Sequence, residues 1–123
     1  MPTFSLPVIA LYPGDTYSLF SSSDTLTAPA FSQVVTVGPG AGLQPRGLAT
    51  WTINFASAST DVVKIFGSNT QPTSTAAQNG VLLYTSTNVQ SDNYTDNLAF
   101  TFYWCELVSQ SGGGALTVAL HVG

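Results

Sequence analysis

One histidine, one cysteine and a short acidic run are the residues of this chain best suited to chemistry. His121 would act as a general base only with a nucleophile and an orienting carboxylate beside it. No nucleophile motif accompanies it, and its place near the end of an alternating segment predicts an exposed or interface residue. Cys105 lies within an apolar run, which predicts a buried, inert thiol. A lone cysteine excludes an internal disulfide and a zinc site built from several thiolates. Cys105 and His121 would form a Cys/His pair if they met across the last hairpin, and the facing of the two strands decides whether they do.

Asp92 and Asp96 fall in SDNYTDN, where Asn93 and Asn97 add oxygens that could serve calcium. Calcium loops carry denser acids or a fixed glycine, so the expected structure is a polar turn held by Asx hydrogen bonds. Asn93-Tyr94-Thr95 has the pattern of a glycosylation acceptor. No secretion signal precedes it, which makes the match accidental. Trp51, Tyr84, Tyr94 and Trp104 are of the types that stack on sugar rings. Periodicity sends Trp51 and Trp104 to the core, leaving Tyr94 as the candidate platform. Glu106 follows Trp104 in a strand-like run, where an unpaired carboxylate would be costly. Lys64 and Arg46 are its possible partners in a structural ion pair, with strand-end exposure of Glu106 as the alternative. Acid, base and nucleophile converge nowhere, so no enzyme, catalytic residue, metal or cofactor is expected.

The wider composition points the same way. Charged residues make up 7% of the 123-residue chain, two basic and six acidic, where a soluble domain ordinarily carries about a quarter. A net charge of −4 with two basic residues offers nothing to neutralise a phosphate backbone or an anionic membrane. Nucleic acid and membrane are both excluded as expected partners. The amino terminus, MPTFSLPVIALYPGD, lacks a positive n-region and is interrupted by Pro7 and Pro13, so it does not read as a signal peptide. Ser, Thr, Asn and Gln cover the chain in place of charge, a surface suited to permanent burial against other protein.

The elements that position these residues are strands. Residues 1–47 are cut by six prolines into short extended pieces, with strands expected at Val8–Tyr12 and Gln33–Val37. This stretch reads as a Pro-rich amino-terminal arm, set off from a core over 48–123 by the Gly- and Pro-rich run GPGAGLQPRG, the two forming one structural domain. Trp51, Ile53 and Phe55 alternate with Thr52 and Asn54, the period of a strand with one buried face. Further strands are expected over Asp61–Phe66, Val81–Thr87 after the Asn79-Gly80 turn, Leu98–Val108, and from Leu116 to the end after a glycine-rich hairpin at Ser109–Gly114. The Leu98–Val108 strand is apolar on both sides. Leu98, Phe100, Phe102 and Trp104 line one face, and Tyr103, Cys105 and Leu107 the other. Such a strand is either covered on both sides within the fold or pressed against a neighbouring subunit, which marks Tyr103, Cys105 and Leu107 as candidate interface residues. The pattern as a whole predicts an all-β fold, an antiparallel β-sandwich of jelly-roll type.

The segments TWTINFAS, VVKIFGSN, VLLYTSTN and FTFYWCELVSQSGGGALTVAL resemble those of small β-sandwich virion proteins of tailed bacteriophages, particularly head decoration or cement proteins. The resemblance covers about the last three fifths of the chain. It implies a homo-oligomer, often a trimer, that sits on the capsid surface of the virion, clamps neighbouring copies of the major capsid protein and is made in the host cytoplasm. A phage tail or fibre module, or a receptor- or glycan-binding sandwich, is the alternative expectation.

Overall fold

The computed structural model describes residues 9–12, 14–21, 26–37, 48–57, 61–70, 80–87, 90–97, 100–110 and 115–122. These form ten strands and no helix: β1 (Ile9–Ala10), β2 (Thr16–Phe20), β3 (Ala30–Phe31), β4 (Val35–Thr36), β5 (Ala49–Phe55), β6 (Val62–Ser68), β7 (Val81–Ser86), β8 (Ser91–Asp96), β9 (Phe102–Ser109) and β10 (Leu116–Val122). One sheet runs β1-β4-β9-β6-β7, with β3 also on β9, and the other runs β2-β10-β5-β8. All pairs are antiparallel except β1 with β4. Of the stretch read as an arm, residues 9–37 contribute strands to both sheets, while residues 1–8 and 38–47 lie outside the described residues.

Alternation explains the long strands. In β5 Ala49, Trp51, Ile53 and Phe55 are buried, and in β10 Leu116, Val118, Leu120 and Val122 are buried. Register sets Trp51 opposite Leu120 and Ile53 opposite Val118, so neighbouring strands give their apolar residues to the same face. Val63 and Ile65 of β6 and Tyr103, Cys105 and Leu107 of β9 come to the same core from the other sheet. Two sheets sharing one core in this way make a β-sandwich arrangement. Bulges adjust the fit. Phe20 pairs with Val118 and Ser18 with Ala119, leaving Leu19 as the extra residue, and the kink lets Leu19 and Phe20, consecutive in the chain, both bury in the core.

The six-stranded sheet is covered on its outer face as well. Trp104 and Val34 are fully buried in a second cluster with Phe31, Phe66 and Phe102, and the Trp104 and Phe66 rings stack at 5.9 Å. Gly80 belongs to this packing. A Cβ there would come within 2.7 Å of Trp104 Cη2, so close approach, rather than a positive φ, requires glycine at the start of β7.

Successive strands mostly change sheets. Among the described strands β6 and β7 make a hairpin, whereas β9 and β10 lie in different sheets. The expected hairpin at Ser109–Gly114 is therefore a crossover. Registers place the connections β1–β2, β4–β5, β6–β7 and β8–β9 at one end of the sheets and β2–β3, β5–β6, β7–β8 and β9–β10 at the opposite end, while β3 leads into β4 along β9.

Candidate functional site

The densest polar cluster stands where β7 of one sheet meets β8 of the other. SDNYTDN, expected as a turn, is the edge strand β8, with Asp92 opposite Ile53, Tyr94 opposite Trp51 and Asp96 opposite Ala49. Its polar composition hid a period-2 signal: Asp92, Tyr94 and Asp96 are partly or fully buried while Ser91, Asn93 and Thr95 are exposed. The Tyr94 hydroxyl donates to Asp96 at 3.1 Å, and the Tyr103 hydroxyl donates to the same carboxylate at 2.7 Å. Tyr103 Oη also accepts the Phe100 N–H at 3.0 Å. From β7 the Tyr84 hydroxyl donates to Asp92 at 2.5 Å, and its ring stacks on Tyr94 with centroids 4.9 Å apart.

Proton affinities follow from these contacts. Burial, then the neighbouring Asp96 carboxylate, pushes the Tyr94 phenol up to about 12. Burial and the same carboxylate raise Tyr103 further. Tyr84 is raised by its hydrogen bond to Asp92 and by burial. Burial works to raise the Asp92 carboxyl, but the Tyr84 hydroxyl and the Asn93 N–H outweigh it and hold the group below the ordinary carboxylate value. Phenols held neutral are poor nucleophiles and poor bases at neutral pH, and through these hydrogen bonds β7 and β9 of one sheet are tied to β8 of the other. On the opposite flank the Tyr17 hydroxyl donates to Gln33 Oε1 at 2.9 Å, a smaller clasp between β2 and the segment linking β3 to β4.

The sequence-derived candidates disperse. Asp92 and Asn93 point to opposite sides of a strand, so the expected polar turn is a strand and these oxygens do not converge as a calcium loop would need. Among the described residues no group of three His, Cys, Asp or Glu side chains is placed to hold a metal. Tyr94 gives a ring face to Tyr84, so it is not a free platform. His121 is exposed on β10, with Nδ1 2.7 Å from Thr16 Oγ1. Cys105 is fully buried in the other sheet, where burial pushes its thiol up to about 12, and the crossover keeps a Cys/His pair from forming.

Tyr103, Cys105 and Leu107, expected at an interface, are 0, 0 and 1% exposed in the shared core. This corrects the expectation: β9 is central in its sheet, so both of its apolar faces are covered within the chain. The face expected to run continuously from Leu98 breaks before β9, since Phe100 packs on the main core and Phe102 on the outer cluster. Lys64 stands directly opposite Glu106 on neighbouring strands. Burial raises the Glu106 carboxyl while the Lys64 charge acts to lower it. Arg46 and Leu98 lie outside the described residues.

The chain matches no family model, no curated protein and no solved structure.

Proposed function

We propose that this chain is a structural protein of a virus particle, a head decoration or cement protein that binds across major capsid protein junctions as a homo-oligomer, with a trimer favoured, and stabilises the shell. The observation that carries the reading is the strand order. One sheet runs β2-β10-β5-β8 and the other contains β4-β9-β6-β7, with successive strands passing between sheets. This order supports reading the sandwich as an eight-stranded jelly roll, an architecture used by viral capsid and lectin domains. Fold alone does not name a function, and the disposition of charge adds to it. Asp92 and Asp96 accept hydroxyls from tyrosines, and Glu106 faces Lys64, so the charges on the strands are turned inward or toward one another. The described strands thereby turn few charges freely outward, which supports a surface suited to lasting contact with protein. Binding across subunit junctions would stabilise the assembled shell by mass action.

The deciding experiment is to image the labelled chain on its native particle. Density at junctions of the head shell is the expected result. Localisation at a tail tip, with reproducible specific hits on a glycan array, would replace this reading with that of a receptor- or glycan-binding module.

A further inference from the structure

Two tyrosine rings lie face to face between the sheets. Tyr84 of β7 and Tyr94 of β8 belong to different sheets, yet their centroids are 4.9 Å apart with 15° between the ring planes. Each hydroxyl has a carboxylate oxygen of its own, since Tyr84 donates to Asp92 Oδ2 at 2.5 Å and Tyr94 donates to Asp96 Oδ1 at 3.1 Å. Both side chains are partly exposed, so the pair can be reached from solvent. Tyr103 and Tyr17 each have only part of this arrangement. Tyr103 also donates to Asp96, but its ring is fully buried and meets Trp51 and Phe100 at 6.3 Å, tilted or edge-on. The Tyr17 hydroxyl donates to the uncharged Gln33 amide oxygen at 2.9 Å.

This geometry suits one-electron oxidation. A phenol that gives up an electron must also give up its proton to become a neutral phenoxyl radical. Tyr94 is pushed up to about 12 and Tyr84 is raised as well, so both phenols still carry their protons at neutral pH. Asp92 and Asp96 already hold those protons in hydrogen bonds and can take them as the electrons leave. The unpaired electron of each radical spreads to the ring carbons ortho to oxygen, and here the two rings face one another. Coupling forms one C–C bond between an ortho carbon of each ring. Each joined carbon then loses its hydrogen as the ring regains aromaticity, and the phenol O–H is restored. For each pair two C–H bonds break, one C–C bond forms, and two electrons with two protons pass to the oxidant. Hydrogen peroxide, acting through a haem peroxidase, accepts them and leaves as two waters. Because the fold holds both rings together, coupling within the chain is favoured over encounter between chains.

We propose that Tyr84 and Tyr94 are a site of oxidative coupling, at which a peroxide-driven one-electron oxidant converts the stacked pair into a dityrosine, with Asp92 and Asp96 as the proton acceptors. The new bond joins one sheet covalently to the other, between β7 and β8, the strands that end their sheets in the order given above. It is independent of the proposed role in a virus particle.

Treating the full chain with hydrogen peroxide and a haem peroxidase tests it. The expected product shows dityrosine fluorescence, and after proteolysis the peptides carrying Tyr84 and Tyr94 are found joined within one chain and lighter by two hydrogens. Tyr84→Phe and Tyr94→Phe should each abolish that product, while Tyr12→Phe and Tyr17→Phe should leave its yield unchanged. Asp92→Asn keeps both rings and removes one proton acceptor, so it should slow coupling severalfold. Circular dichroism and thermal melts check that the variants fold, and mass mapping of the treated parent locates the bond even if a variant does not. A parent that forms no bond between Tyr84 and Tyr94, or that couples only between chains through the exposed Tyr12, overturns the proposal. An Asp92→Asn chain that couples at the parent's rate overturns the part given to the carboxylate.

Discussion

Tyr103 shows how much depends on one polar atom in an apolar place. The ring is fully buried, packed 6.3 Å from Trp51, and its hydroxyl serves both Asp96 and the Phe100 N–H. Tyr103→Phe keeps the ring and removes the hydroxyl, so buried groups lose a partner. The expected loss is about 1–3 kcal/mol, read as a lower denaturation midpoint with an unchanged m-value. The same cluster sets a pH response at both extremes. Tyr94 is raised from about 10 unfolded to about 12 folded, so its contribution is fully present below pH ~10 and is lost as pH rises through about 12. Asp92 is lowered in the fold, so its contribution is present above the unfolded carboxylate value and fades as pH falls through the lower folded one. Melts across pH should decline on both flanks, and Asp92→Asn should flatten the acid flank and also soften the alkaline one, because the same carboxylate raises Tyr84. The pairing of these aspartates with tyrosine hydroxyls was not legible in sequence. Tyr84 and Tyr103 come from strands of the other sheet, although the spacing of Asp92, Tyr94 and Asp96 carried the hint.

At the scale of elements, β9 explains why a strand can be apolar on both faces without a partner subunit. It lies centrally in its sheet, with the shared core beneath and the cluster of Trp104, Val34, Phe31, Phe66 and Phe102 above. Trp104→Ala should therefore cost as much as a substitution in the main core, about 3–5 kcal/mol, measured by chemical denaturation. A loss below 1 kcal/mol would show that the outer cluster does not hold the sheet. The segment opposite β9 supports it through a side chain as well as through the ladder, since Ser32 Oγ accepts the Cys105 N–H at 2.9 Å. This stretch was partly legible, because Val35 and Val37 alternate with Thr36. Strands β2, β3 and β8 were not, because each carries too few apolar residues at strand spacing to declare a buried face.

For the molecule as a whole, the amino-terminal strands decide how it unfolds. β1, β3 and β4 lie in one sheet and β2 in the other, and Leu11, Leu19, Phe20, Val35 and Val37 belong to the same core as β5 and β10. Residues 9–37 have no separate core to melt around. Calorimetry should show a single transition with equal calorimetric and van't Hoff enthalpies, and two resolved transitions would mean that this part folds apart from the rest.

What the sequence determined by itself was local: the all-β class, the strand positions with clean alternation, the buried thiol of Cys105 and a surface poor in charge. Each follows from residue type and a period of two along the chain. Tertiary structure decided which strands share a sheet, that β9 and β10 part company, and that Tyr103, Cys105 and Leu107 face inward. Those outcomes depend on contacts between residues distant in sequence. Periodicity shows that a strand has a buried face, but not which other strand will cover it.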